Sequence, residues 1–93
     1  MNINQINKEQ LQEKMQSNNV LLLDVRSEIE YSQGTIDKSI NIPLNLLIDN
    51  IDQIDPNQEI IVFCAHGVRS MQAAKILQNH GFLNVFNLTG GIF

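Results

Sequence analysis

The single cysteine of this chain lies in the run Cys64-Ala65-His66-Gly67-Val68-Arg69-Ser70. The apolar stretch Glu59 to Phe63 precedes it, and Met71 to Leu77, which reads as helix, follows. A cysteine at a strand-to-helix turn sits where backbone N–H groups converge and a helix N-terminus points into the loop. A thiol there is expected to have a depressed pKa and to act as a nucleophile. Free cysteines are more often small buried hydrophobes. The company of His66, Gly67 and Arg69 at a helix start favours the nucleophile. Gly67 would allow the positive φ or close backbone approach that such a curl requires.

The neighbours divide by chemistry. Arg69 has two compatible readings: its guanidinium holds an anionic donor, or it ties the loop to the body of the domain. Ser70 reads as a helix-start residue that also offers a hydroxyl to the loop. Ala65 and Val68 line the pocket. His66 could bind an anionic donor or, protonated, lower the thiolate pKa, but the favoured reading is a solvent-facing loop residue that tunes specificity. Asp24, in Asp24-Val25-Arg26, poses an electrostatic problem, because a bare carboxylate beside Cys64 would raise the thiol pKa. The expectation is that Arg26 or backbone N–H groups engage Asp24 and that it supports the loop structurally. Glu28, Glu30 and Tyr31 read as part of a capping turn. His80 suits the last turn of a helix by its charge and is assigned no chemistry.

The elements that must position these residues follow from periodicity and punctuation. Asn7 with Gln10 resembles a capping box, so 8–17 reads as a short helix, with a turn over 17–19. Val20 to Val25 is apolar except for Asp24, which suits a strand buried on both faces of a parallel sheet. One helical turn over 27–31 stops at Gly34. A short strand over 39–42 ends at Pro43. Residues 44–52 are apolar at helical spacing, and Leu44, Leu47, Ile48 and Ile51 read as the core face of a helix there. Glu59 to Phe63 is a second buried strand, 70–80 a helix ended by Gly81, and 84–88 a last strand. Strands alternating with helices imply an α/β fold with a parallel sheet and right-handed crossovers. Ligands of such sheets bind beyond the carboxyl ends of the strands. Asp24-Val25-Arg26 and Cys64 are therefore expected at one rim.

Composition narrows the function classes. The chain has 93 residues, 43% hydrophobic, which suits one domain over 1–93 with a single core. One cysteine cannot form an internal disulfide, and a reducing, cytoplasmic setting is the expectation. Met1 to Gln5 shows no charged-then-apolar leader pattern, and no apolar run approaches the roughly 20 residues of a membrane span. The formal net charge is −4 with no Lys/Arg cluster, so neither nucleic acid nor membrane is an expected partner. One cysteine and two histidines offer no metal-ligand spacing, and no cofactor is expected.

Taken in order, Asp24-Val25-Arg26, Glu30-Tyr31, Gly34, Ile36, Asn41-Ile42-Pro43, the Cys64 to Ser70 loop and Gly90-Gly91-Ile92 resemble a single-domain rhodanese-like sulfurtransferase. The resemblance runs from residue 20 to the end. It implies a rhodanese-like fold, a five-stranded parallel sheet flanked by helices on both faces. It also implies that Cys64 takes sulfane sulfur from a donor such as thiosulfate and passes it to cyanide or a thiol, a protein thiol included. Arg69 matches the loop-closing arginine of the family. The six-residue loop from Cys64 to Arg69 is the form that typifies sulfur transfer, whereas related phosphatases carry one residue more. The alternatives that the resemblance leaves are a sulfur-relay or partner-binding module with little turnover and, less favoured, a cysteine-loop phosphatase. The chain departs from the family at Thr35, where histidine is frequent, and at Lys38-Ser39, where Gly-Ala is frequent. It stops at Phe93, short of the family's usual tryptophan-containing tail.

Overall fold

The computed structural model describes residues 3–17 and 19–93. Met1, Asn2 and Asn18 lie outside it, and with them the start of the N-terminal run and the middle of the turn expected over 17–19. Five strands form one parallel sheet: β1 (Asn4–Ile6), β2 (Val20–Asp24), β3 (Ile40–Asn41), β4 (Glu59–Phe63) and β5 (Val85–Leu88), in the order β1-β5-β4-β2-β3. The helices are α1 (Lys8–Met15), α2 (Glu28–Ser32), α3 (Leu47–Asn50) and α4 (Val68–Asn79).

The central strands β2 and β4 carry the apolar runs, and side-chain alternation sends their residues to two cores. Leu23, Val25, Ile60, Val62 and Cys64 face one layer with Leu47 and with Ala73, Ala74 and Leu77 of α4. Leu22, Ile61 and Phe63 face the other layer with Leu11 of α1. Each fully buried leucine of this set contributes about 1.5–3 kcal/mol over its exposed state. The two small alanines of α4 let that helix approach the sheet closely, and α4 carries the cysteine loop at its N-terminus.

Helices α1 and α2 begin as their sequences indicate. Asn7 caps α1, accepting from the Gln10 N–H at 2.8 Å while the Gln10 side chain accepts from the Asn7 N–H at 2.9 Å. Ser27 and Glu30 form the same reciprocal box on α2.

The structure adds one strand to the elements read from the sequence and changes two of them. The polar segment Asn4–Ile6 is a strand, because β5 supplies a parallel edge for it; three residues with two amides carry no strand signal of their own. The helix expected through 44–52 is broken into a 3-10 turn (Leu44–Leu46), one turn of α3 and a second 3-10 turn (Ile51–Gln53). Leu47 and Ile51 are buried there, whereas Ile48 is exposed. Helix α4 starts at Val68, two residues early, because Gly67 at φ +94° serves as its N-cap. Among the described residues no helix is long and apolar enough to cross a membrane.

Candidate active site

Strand register brings the two sequence clusters to one rim. Asp24 pairs with Phe63, and the Val25 N–H donates to the Phe63 carbonyl at 3.1 Å, so Val25-Arg26 and Cys64 leave the sheet side by side. The 64–70 loop then curls around the sulfur. The Gly67 N–H donates to Cys64 Sγ at 3.1 Å and the Ser70 N–H at 3.4 Å. Gly67 has no side chain to cap α4, and Ser70 is the third residue of that helix. The sulfur therefore takes the acceptor position that a capping side chain would hold. The thiol also donates to Ser70 Oγ at 3.3 Å, and on ionisation the hydroxyl is placed to donate back.

These contacts decide the acidity of Cys64. Burial is the largest single influence and pushes the pKa up. The Ser70 hydroxyl and the N–H groups of Ser70, His66 and Gly67 together outweigh it, and the thiol is held below its ordinary range. The residue is only 1% exposed, so its sulfur lies at the floor of the loop.

Asp24 does not confront the thiol as a bare charge. Its carboxylate accepts from the Arg26 N–H at 2.9 Å, from Arg26 Nε at 3.1 Å, from Nη2 at 2.8 Å and from the Thr35 hydroxyl at 2.9 Å. Both charged residues are buried, at 0% and 2% exposure. Arg26 Nη2 also donates to the Gly34 carbonyl at 2.6 Å, and the Asn41 side chain donates to the carbonyls of Asp24 and Arg26. The pair thus fastens the exit of β2 to the 34–41 segment rather than bonding the 64–70 loop directly. Thr35 and Ser39, both departures from the family pattern, join this network through a 2.9 Å hydroxyl–hydroxyl contact.

Arg69 is engaged end-on by Glu30, Nη1 to Oε1 at 2.6 Å and Nη2 to Oε2 at 2.9 Å. The sequence places Glu30 in the α2 capping turn, which it does occupy, but carries no sign of its second partner 39 positions away. Arg69, but not Cys64, lines a cavity of about 360 Å³ with Val25, Ser27, Pro43, Leu44 and Asn45. A larger groove of about 720 Å³, on the α4–β1 side, meets the loop at His66, Gly67 and Val68 and includes neither Cys64 nor Arg69. Of the other loop residues, Ala65 is buried, and His66 and Val68 are exposed. His66 stands 6.4 Å, ring to ring, from Phe93.

The loop is supported from below by the residues that follow the paired glycines Gly90-Gly91. The Ile92 N–H donates to the Cys64 carbonyl and the Phe93 N–H to the Ala65 carbonyl, each at 3.1 Å.

The description "Rhodanese-like domain" belongs to the family model that matches residues 7–93. The chain belongs to the rhodanese-like family. A sulfurtransferase of Allochromatium vinosum is 33% identical over 91 residues, covering 97% of this rhodanese-like chain and 85% of the relative. The thiosulfate sulfurtransferase GlpE of Shewanella oneidensis is 33% identical over 82 residues, 88% of this chain and 81% of the relative. A tRNA uridine(34) hydroxylase of Buchnera aphidicola is also similar, at 32% over 84 residues, but the match spans 84% of this chain and 27% of that larger protein. The crystal structure of a rhodanese-like domain protein from Staphylococcus aureus superposes with a TM-score of 0.88 at 30% identity, covering 96% of this chain and 87% of the other. The rhodanese-like fold, with its five parallel strands and flanking helices, is the one expected from the sequence.

Proposed function

We infer that the chain is a sulfurtransferase, working as one domain, in which Cys64 carries the sulfur. The Cys64 thiolate attacks the sulfane sulfur of a donor such as thiosulfate. A new S–S bond forms, the donor's S–S bond breaks, and sulfite leaves with the electron pair. Cyanide or an acceptor thiolate then attacks the outer sulfur of the persulfide, and the Cys64 thiolate departs. Negative charge sits on or next to Cys64 Sγ throughout, and the amides of Gly67 and Ser70 already aim at that atom. Preorganised donors of this kind are commonly the largest catalytic contribution. This amide cradle is the observation that carries the reading.

In this mechanism the donor enters through the cavity beside Arg69, whose guanidinium orients its anionic end. Ser70 holds the thiolate. His66, Ala65, Gly67 and Val68 shape the loop and its approach, and Asp24 with Arg26 acts structurally behind it. The names of the relatives from A. vinosum and S. oneidensis support sulfur transfer, and the second supports thiosulfate as a donor. The six-residue loop disfavours a phosphatase.

Intact-mass spectrometry tests the reading. Incubation with thiosulfate is expected to add one sulfur atom to the wild type and none to Cys64→Ser, and cyanide is expected to remove it as thiocyanate. A wild-type protein that gains no sulfur from thiosulfate or from an alkyl persulfide, with its thiol free, overturns it.

A further inference from the structure

The mechanism asks Arg69 to receive an anionic donor, yet both terminal nitrogens of its guanidinium are already held by Glu30 at 2.6 and 2.9 Å. The fork is a demanding geometry, and the capping turn enforces it from the other side. Glu30 Oε1 also accepts from the Ser27 N–H at 3.1 Å, and the Glu30 N–H donates to Ser27 Oγ, so the carboxylate is fixed to its own helix start. The residues of the cavity beside the loop include no cation except Arg69. Arg26, the neighbouring cation, is committed to Asp24. Arg69 is thus offset by Glu30, and the buried Arg26 by Asp24, before the thiolate is counted.

We propose that Glu30 is a specificity-determining residue, which by occupying Arg69 handicaps a dianionic donor such as thiosulfate and favours a monoanionic alkyl persulfide. The inference rests on the reading of Cys64 as the sulfur acceptor. Thiosulfate brings two negative charges toward a thiolate and must compete with Glu30 for the guanidinium, whereas an alkyl persulfide brings one and has no sulfonate to seat. Transfer from the persulfide needs no additional reactant: Cys64 attacks the outer sulfur, the donor's S–S bond breaks, and the alkyl thiolate leaves with the electron pair.

The Glu30→Gln variant isolates the charge, because Gln10 performs the same capping task in α1 and a glutamine at position 30 can keep the box. The two probes are thiosulfate and 2-hydroxyethyl persulfide generated in situ, with cyanide as acceptor. Freeing Arg69 is expected to lower the KM for thiosulfate about fivefold, the scale of a partly exposed bidentate pair. The kcat is expected to stay within about twofold, and the efficiency with the persulfide to change less than about twofold. Adding Arg69→Ala to Glu30→Gln is expected to abolish the gain. A merely structural role would move both donors together. An active wild type whose variant shows an unchanged or raised thiosulfate KM, or equal changes with both donors, overturns the proposal and leaves the sulfurtransferase reading standing. A wild type that takes sulfur from neither donor overturns that reading first. Should Glu30→Gln not fold, Glu30→Asp decides: its shorter carboxylate cannot hold the same fork, and an unchanged thiosulfate KM in that variant is the overturning result.

Discussion

Gly91 lies directly beneath the carbonyl of Ala65, at φ +70°, so close that a Cβ on residue 91 would collide with the Ala65 and Cys64 backbone. The second of the paired glycines is therefore a requirement of packing as well as of turn geometry. Backbone cannot swing away as a side-chain tip can, and Ile92 and Phe93 hold the same segment through their N–H groups. Gly91→Ala is expected to cost about 2–4 kcal/mol through steric displacement plus a left-handed alanine. A urea-unfolding midpoint equal to wild type would show that the loop floor yields easily.

Asp24 should matter for stability more than for chemistry. Asp24→Asn leaves the Arg26 guanidinium buried with its countercharge gone, and breaking a buried pair in this way costs about 3–5 kcal/mol. Chemical denaturation measures it. A variant that folds with wild-type stability yet takes up sulfur poorly would contradict the structural role.

Ser70 contributes one hydroxyl and one N–H to the sulfur, and only the hydroxyl can be removed by mutation. Cys64 titrates below its ordinary range, so the reactive thiolate is populated at lower pH than in a free thiol. Ser70→Ala should move the rising limb of the sulfur-uptake profile to higher pH. Uptake near neutrality should fall about tenfold, the value of one hydrogen bond to a charged group. Thiolate ultraviolet absorbance followed against pH checks the shift independently of turnover. An unmoved midpoint would mean that the amides alone hold the charge.

Glu30 predicts a specific weakness to acid. The Arg69 guanidinium, then the Ser27 N–H, hold its carboxyl at about 2, down from 4.5. A carboxyl depressed on folding adds stability above its unfolded value, and that contribution drains away as pH falls from about 4.5 to about 2. Because the pair is a third or more exposed, at 38% and 33%, the contribution is set at about 1 kcal/mol. Glu30→Gln should accordingly lose less stability than wild type between those pH values. Parallel acid titrations followed by circular dichroism would reveal the difference, and superimposable curves would rule it out.

What the amino-acid order determined by itself is local. The capping boxes at Asn7 and Ser27, the buried strands β2 and β4, and a cysteine curled into a helix start with Ser70 beside it are written in residues within a turn of one another. Those signals survive any arrangement of the rest of the chain. The tertiary structure alone decided that Asn4–Ile6 is a strand and that Gln5 meets Asn87. It likewise decided that Thr35 completes the Asp24 network, that Glu30 holds Arg69, and that Gly91 underlies Ala65. Each of these joins segments far apart in the chain, through strand order and register. Hydrophobic periodicity tells which face of a strand is buried but not which neighbour it will meet.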